Sequence, residues 1–338
     1  MITSAIEIRQ MNKERIREAI QKQETCTKAD IVKQTDLSMA TCSTALNEML
    51  ESNEILKVDQ VGAGIGRPSD LFAYNRDYLH VLCICLYAQE GTNTVDLAVA
   101  DALGGIIAQQ QFFYDTLSVE TVEALVADHI AEDPLIKTVG LGVPGVVVDS
   151  TIESCDIKAL QKVDFAKLFR EKFDVNVIVQ NDMHTITHYL YHQQAHCPGD
   201  FAAIYFPGTS NGYVGSGFIV DGHVLRGRTM LSGALWHVAE VFGVSPDEQA
   251  YALQDRKAFQ KLASQILLTI CCTINPSNVV IMGNEIDEQD LAAIRAHCTE
   301  VISPRHLPDI EIRNDIFENY AKGLIRLTLD SLLFPFIV

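Results

Sequence analysis

Apolar residues recur at helical spacing in three stretches of the first 76 residues. The first stretch predicts a helix over about Ser4 to Gln23, with Ile16 and Ile20 on its apolar side. A second helix begins after Thr27, an N-cap with Asp30 three residues on. The third, "MATCSTALNEMLESN", has one apolar stripe and a polar opposite side. The last two helices are joined by a tight turn, which predicts a helix-turn-helix.

Two short strand patterns, "EILKVDQ" and "DLFAYN", follow the third helix, with glycines at 62, 64 and 66 between them. Glycine readily adopts the positive φ that a hairpin tip needs. A phosphate-binding glycine loop would instead connect a strand to a helix. The pattern therefore predicts a hairpin wing, with Arg67 near its tip and suited to DNA phosphate or a narrow minor groove.

From residue 77 onward, strand patterns alternate with helical ones in two similar groups, which predicts two α/β lobes with a cleft between them. We expect a winged helix-turn-helix domain over 1–76, a first lobe over 77–198 and a second over 199–314. Residues 315–338 are predicted to form a C-terminal helix that completes the first lobe. The apolar stretch at 332–338 is expected to pack against a lobe or a partner subunit.

Charge is distributed unevenly along the 338 residues, whose formal net charge is −18. Residues 1–76 carry 10 basic against 11 acidic residues, whereas the remainder carries 16 against 33. Contact with nucleic acid is therefore expected only in the first segment. The nine cysteines include no CxxC pair, and no secretory signal or membrane-spanning run is visible. These features favour reduced thiols and a cytoplasmic protein.

The third helix supplies the candidate DNA-reading side chains. Those outside its apolar stripe are predicted to face the major groove, where Asn47 is suited to adenine. They are Ser38, Met39, Thr41, Ser43, Thr44 and Asn47. An ordinary small helical bundle is the alternative interpretation.

Four further motifs follow in a fixed order: "VGLGVPGVVVDS" at 139–150, "QNDMH" at 180–184, "GYVGSGFIVDGHVLRG" at 212–227 and "SGALWHV" at 232–238. With the N-terminal segment, this order resembles the ROK family, which groups sugar kinases with sugar-responsive repressors. The resemblance implies a two-lobed, actin-like (ribonuclease H-like) kinase fold with a sugar in the cleft. It also implies that Gly145, Asn181, Asp182 and His237 bind this ligand.

The sequence departs from the family pattern where the kinases bind phosphate and sugar. Gln89 stands at the aspartate position of the phosphate loop, and Ala234 replaces the sugar-binding glutamate. No cysteine cluster follows His237 to bind zinc. We therefore expect no cofactor, no metal and no phosphoryl transfer. The alternative interpretation of Asp182 is that it only caps the next helix.

Four histidines recur every four residues, at His184, His188, His192 and His196, and Cys197 follows the last. Such spacing can bind a transition metal, but a polar stripe on a helix surface needs none.

Taken together, the residues and the resemblance predict a DNA-binding transcriptional regulator of carbohydrate metabolism, a repressor, that senses a sugar. Double-stranded DNA with dyad symmetry, a sugar effector and a second copy of the chain are the expected partners, as a homodimer or dimer of dimers. The alternatives are an active ATP-dependent sugar kinase with a DNA-binding head and a regulator that no longer binds sugar.

Overall fold

The structure is a computed structural model that describes residues 5–61, 69–89, 91–194, 199–207, 214–283 and 286–333. The predictions for Arg67, for His196 and Cys197, and for residues 334–338 lie outside this described part. In the described part, no helix combines the length and the apolar character needed to cross a membrane.

The N-terminal segment folds as three helices and a small sheet. In chain order its elements are α1 (Ala5–Gln21), β1 (Cys26–Thr27), α2 (Lys28–Thr35), α3 (Met39–Glu51), β2 (Ile55–Val61) and β3 (Ser69–Tyr74). The sheet has the order β1-β3-β2, and both pairings are antiparallel. A winged helix-turn-helix arrangement results, to which the two-residue strand β1 adds an edge that the sequence pattern did not predict.

Side-chain caps set the ends of the two helices in the helix-turn-helix. Thr27 and Asp30 form a reciprocal capping box at the start of α2, and Ser38 accepts a bond from the Thr41 amide at the start of α3. Asp36 takes the left-handed conformation, φ 52°, and ends α2. The turn is therefore fixed locally, as the sequence suggested.

A buried ion cluster ties α1 to the start of the wing. Arg17 pairs with both Glu14 and Glu54, and Lys13 Nζ lies 3.2 Å from the Glu54 carboxylate. Glu54 is fully buried and Arg17 is only 8% exposed. Buried charges are tolerated when they are paired, so these residues depend on one another.

The first lobe is built from seven strands and two helices. They are β4 (His80–Gln89), β5 (Thr92–Ala100), β6 (Ile106–Tyr114), α4 (Val119–Glu132), β7 (Ile136–Val143), β8 (Gly145–Val148), β9 (Thr151–Cys155), α5 (Phe165–Phe173) and β10 (Asn176–Asn181). Strands β8 and β9 form a separate hairpin, and the main sheet has the order β10-β7-β4-β5-β6. Its first three strands are parallel and β4-β5-β6 is an antiparallel meander.

The second lobe repeats this pairing. Its elements, after α6 (Asp182–Gln193), are β11 (Phe201–Phe206), β12 (Gly215–Val220), β13 (His223–Val224), α7 (Trp236–Val241), α8 (Pro246–Ala252), α9 (Arg256–Thr273), β14 (Asn278–Gly283), α10 (Glu288–Thr299), β15 (Asp309–Arg313) and α11 (Ile316–Leu333). The sheet order is β13-β12-β11-β14-β15, with β11, β14 and β15 parallel and β11-β12-β13 antiparallel. The two lobes thus share one topology.

Helices α6 and α11 lie between the two sheets and are exchanged, since each packs on the sheet that it does not follow in sequence. Helix α6 follows the last strand of the first sheet but packs on β11 and β12, whereas α11 follows the second sheet but packs on β4 and β7. They also pack on each other, and one apolar cluster joins both sheets through them. Gly140 of β7 allows α11 to pack closely on the first sheet, because a Cβ at this position would lie 2.1 Å from Thr328 Oγ1.

One predicted helical region is divided in the structure. The pattern predicts a long helical region from about Ser245 to Ile274, which the structure forms as two helices, α8 ending at Ala252 and α9 beginning at Arg256. Asp255 accepts a bond from the Ala258 amide and caps α9, which gives the physical reason for the break.

Candidate functional site

A cavity of about 680 Å³ lies between the two lobes. The ends of β4 and β10, the residues after β7 and the β8–β9 hairpin line it on one side. Residues 230–237 and strands β11 and β12 line it on the other, and the start of α11 lies between them. Small-molecule sites usually occupy about 300–1,000 Å³. The four residues predicted to bind a ligand, Gly145, Asn181, Asp182 and His237, all line this cavity.

Asn181 is held in place from three directions. Its Nδ2 donates to the Gly145 carbonyl at 2.7 Å and to Asp182 Oδ1 at 3.1 Å. Its Oδ1 accepts from the His184 amide at 2.8 Å and so caps α6. Asn181 is therefore a positioning group, and it occupies the capping role considered for Asp182.

Asp182 presents a carboxylate at the junction of β10 and α6. Its Oδ1 also accepts from the Met183 amide at 2.7 Å, while Oδ2 has no hydrogen-bond partner in the described part of the chain. Removal from solvent, together with the charge of Asp156, raises the pKa of Asp182 to about 7. The free oxygen can accept a bond from a ligand hydroxyl or take a proton near neutral pH.

Gly145 is required by close contact between the strands of the β8–β9 hairpin. A Cβ at this position would lie 2.1 Å from the Ser154 carbonyl oxygen. The same residue turns its own carbonyl to Asn181. Its contribution at the cavity is thus made by its backbone.

The second-lobe wall is less enclosed than the wall around Asp182. His237 is exposed, and its Nδ1 lies 3.2 Å from Glu240 on the same helix. Trp236 lies beside it, with the two ring centroids 5.2 Å apart. Ser216 Oγ donates to the Gly233 carbonyl and fixes the backbone ahead of Ala234. This wall can offer an aromatic face and an imidazole to a ligand.

Sequence patterns did not identify some residues of the cavity. Tyr320 of α11 lines it with a buried hydroxyl that has no hydrogen-bond partner among the described residues. Asp156, after β9, lines it as well. Both come from segments distant in sequence from the Asn-Asp pair. An isolated tyrosine in an apolar helix pattern gave no signal of its position in the cleft.

The predicted DNA-reading residues lie on α3 and at its N-cap, outside the apolar stripe that packs into the core. Cys42, Ala45, Leu46 and Met49 pack into the N-terminal core. Opposite them Ser38, Met39, Thr44 and Asn47 are exposed, and Thr41 and Ser43 are half-buried. Ser38 and Thr41 also bond to each other, 2.9 Å between their hydroxyl oxygens. All six side chains are thus at least partly exposed.

The described histidines of the helical stripe lie on α6. His184 is buried, and the rings of His188 and His192 are 4.5 Å apart. Burial lowers the pKa of His184 and of His188 to about 4. Within the described ranges, no set of three His, Cys, Asp or Glu side chains has an arrangement that could hold a metal ion.

Comparison with known proteins finds similarity to one family in the middle of the chain. Residues 87–247 match the ROK family. The xylose repressor of Bacillus spizizenii is 22% identical over 246 residues, and that of Bacillus subtilis is 21% identical over the same length. Each alignment covers 68% of this chain and 61% of the relative, so the chain spans about three fifths of the length of these relatives.

Solved structures share the fold. A ROK family transcriptional regulator, a homologue of the E. coli MLC protein, is 17% identical with a TM-score of 0.68, covering 97% of this chain and 98% of that one. A ROK glucokinase from Streptomyces griseus, in complex with glucose and AMPPNP, is 17% identical with a TM-score of 0.54, covering 74% and 99%. The predicted actin-like fold is confirmed. The match to the ROK family itself lies within residues 87–247.

Proposed function

We propose that this protein is a DNA-binding transcriptional repressor that responds to a sugar bound between its lobes. The observation that carries the proposal is a helix-turn-helix with an exposed polar face, joined to a two-lobed domain with a sugar-sized cleft. The curated relatives named xylose repressors support this combination.

The exposed side of α3 supports the DNA-binding part. Asn47 is exposed there and has the amide donor and acceptor that pair with adenine in the major groove. The charge distribution agrees, because the first 76 residues are nearly neutral while the rest carries the excess acid. A dimer would present two such helices to two half-sites, so we propose an operator with dyad symmetry. DNA binding also implies a cytoplasmic location.

The cleft supports the sugar-sensing part. Asn181 and Asp182 lie side by side, and acceptor oxygens suit the adjacent hydroxyls of a sugar. A ligand that touches both lobes would favour one degree of lobe closure over another. Binding would thereby change the spacing of the two DNA-binding heads in a dimer, which is a coupling between sites.

Loss of phosphoryl transfer is part of the proposal. Transfer requires a phosphate-binding loop with an acid that positions the metal, and Gln89 stands at that position. Ala234 has no carboxylate with which to hold a sugar hydroxyl. The domain would then bind a sugar without phosphorylating it.

An active sugar kinase is the second candidate, and Asp182 is the observation that favours it. A carboxylate with a free oxygen and a pKa of about 7 could act as a general base. A coupled assay of ADP release with ATP, magnesium and a panel of sugars tests this candidate. Sugar-dependent turnover that disappears in Asp182→Asn would establish the kinase and overturn the non-enzymatic part of our proposal.

The repressor itself is tested by fluorescence anisotropy with the full chain and labelled DNA from upstream of its own gene. We expect tighter binding to this fragment than to a shuffled one of equal length, at one fixed salt concentration. Xylose is the first effector to add, because of the relatives' names. Equal affinity for both fragments would contradict DNA recognition, and affinity unchanged by every sugar would contradict sensing.

A further inference from the structure

A second cavity, of about 530 Å³, lies beside strand β10 on the other side of Asn181 from the interlobe cleft. Strand β10, the β8–β9 turn, the loop after β13 and the end of α11 line it. Asn181, His184 and Met230 form a wall between the two cavities. Asp182 lines the cleft but not this second cavity, so the two spaces differ in their charged groups.

Two arginines from different lobes line this second cavity. Arg170 lies in the last turn of α5, and Arg226 lies in the loop after β13. The side chain of neither makes an ion pair or hydrogen bond with the described part of the chain. Neither arginine lines the interlobe cleft. Arg170 is exposed and Arg226 is half-buried, and together they can present ten guanidinium N–H donors to this cavity.

The surroundings of Arg226 leave its charge uncompensated. The side chain is half-buried, and burial lowers its pKa. The histidines that face it, His184 and His188, are neutral at pH 7 because burial holds the pKa of each at about 4. The one carboxylate that lines the cavity in the described part is that of Asp149, which is exposed at the hairpin turn.

This positive cavity stands out in a domain with 16 basic and 33 acidic residues after residue 76. A partly buried cation without a partner costs stability, so its presence is best accounted for by a ligand of opposite charge. Two planar guanidinium groups match a tetrahedral dianion, to which arginine forms paired hydrogen bonds. Asn176, Gln180 and Ser150 provide neutral polar groups for the rest of such a molecule.

We propose that this cavity is a binding site for a small phosphate monoester, whose phosphate is held by Arg170 and Arg226. The site is separate from the sugar cleft, and it gives the protein a second small-molecule ligand of a different chemical class. A volume of about 530 Å³ accommodates a molecule of this size.

Isothermal titration calorimetry of the full chain tests the site with three matched probes at constant ionic strength. Glycerol 3-phosphate, glycerate and glycerol share a three-carbon backbone and differ in the anionic group. We expect binding of glycerol 3-phosphate, weaker binding of glycerate and none of glycerol. Absence of glycerol 3-phosphate binding would overturn the proposal, and equal affinity for glycerate would overturn the assignment to phosphate.

Variants place the binding in this cavity. Arg226→Gln and Arg170→Gln are each expected to weaken glycerol 3-phosphate binding about tenfold or more, the loss expected for a charge-assisted pair. Arg228→Gln is the matched control, because Arg228 lies on the same loop, is exposed and lines neither cavity. Unchanged affinity in both cavity variants, or an equal loss in the control, would contradict the site.

Two further measurements separate this proposal from misfolding and from the sugar site. The melting temperature of ligand-free Arg226→Gln should equal or exceed that of the wild type, because an unpaired charge has been removed. Asp182→Asn should keep its affinity for glycerol 3-phosphate even if it loses the response to sugar. A loss of both would show that the phosphate ester binds in the cleft instead.

Discussion

The amide of Asn181 donates to Asp182 Oδ1 at 3.1 Å and to the Gly145 carbonyl at 2.7 Å, so one side chain orients the carboxylate and ties it to the start of β8. The same residue caps α6 through its oxygen. Asn181 therefore links the start of α6, the β8–β9 hairpin and the orientation of the Asp182 carboxylate.

The first prediction concerns this link. Asn181→Ala should lower the free energy of unfolding by about 1 kcal/mol through the lost cap, and should also weaken the binding of the cleft ligand. Chemical denaturation and ligand titration measure the two effects. Ser118→Ala is the control, since Ser118 caps α4 through the Thr121 amide outside the cleft. If Asn181→Ala binds the cleft ligand as tightly as Ser118→Ala does, Asn181 has no positioning role.

The second prediction follows from the pKa of Asp182. The folded value of about 7 is above the ordinary 3.8, so the folded state binds a proton more tightly than the unfolded state. Stability that depends on this proton is present in full below pH 4 and is lost as the pH rises to 7. The free energy of unfolding of the wild type, relative to that of Asp182→Asn, should fall between pH 4 and 7. Above pH 7 the difference between the two proteins should stay constant.

Urea denaturation of both proteins across pH 3 to 9 measures this difference. The comparison cancels other titrating groups, because asparagine has nearly the same shape and no titration. A difference that is constant from pH 4 to 7 would show that the carboxylate is ionised throughout, and the general-base alternative would lose its support.

The third prediction concerns the buried ion cluster of the winged helix-turn-helix head. Arg17→Ala leaves Glu54 fully buried with only Lys13 beside it, and should destabilise the head by about 3–5 kcal/mol. Lys22→Ala, which removes an exposed pair with Glu18, should change stability by less than about 1 kcal/mol. Thermal denaturation followed by circular dichroism measures both, and equal effects would contradict a structural role for the cluster.

The fourth prediction concerns the packing of α11 on the first sheet. Gly140→Ala should cost about 1–3 kcal/mol, because the added Cβ would lie 2.1 Å from Thr328 Oγ1. Thr328→Ala removes that oxygen, so the double variant should recover part of the loss. Denaturation of the two single variants and the double variant gives the coupling energy. If the stability losses of the two single variants simply add in the double variant, a direct steric clash between the added Cβ and Thr328 is excluded.

The fifth prediction concerns recognition of DNA. Asn47→Ala should weaken binding to the operator by about 1–3 kcal/mol, with less effect on shuffled DNA, because a base contact is lost. Gln10→Ala, an exposed amide on α1, is the matched control. Fluorescence anisotropy gives both affinities. An equal effect on both DNA sequences would assign Asn47 to the phosphate backbone.

Local signals were enough to predict the N-terminal elements. Thr27 and Ser38 cap the helices that the sequence assigned to them, because capping depends on residues only three positions apart. Strand β1, by contrast, has two residues and is defined by its pairing with Phe72 and Leu71, which no local pattern encodes. The long helical region from Ser245 to Ile274 is divided before α9, where Asp255 is a local cap within an otherwise helical pattern.

The site was predicted only where chemistry and family motif coincided. Asn181 and Asp182 are adjacent in sequence, so their joint position was predictable. Tyr320 and Arg226 reach their cavities through the exchanged helices and the packing of the lobes, which depend on contacts between residues far apart in the chain. Such contacts leave no periodic signal in the sequence.

The exchange of α6 and α11 has a consequence for synthesis of the protein. The inner face of β4 and β7 is covered by α11, so residues 80–143 stay incompletely packed until residues 316–333 have left the ribosome. During this interval the first lobe exposes an apolar sheet surface, including Cys83 and Val81, that is buried in the finished fold. The winged helix-turn-helix has an apolar core whose buried members, apart from Ala102, come from residues 16–74, and it precedes the lobes in the chain. The winged helix-turn-helix can therefore form on the nascent chain well before the two-lobed domain is complete.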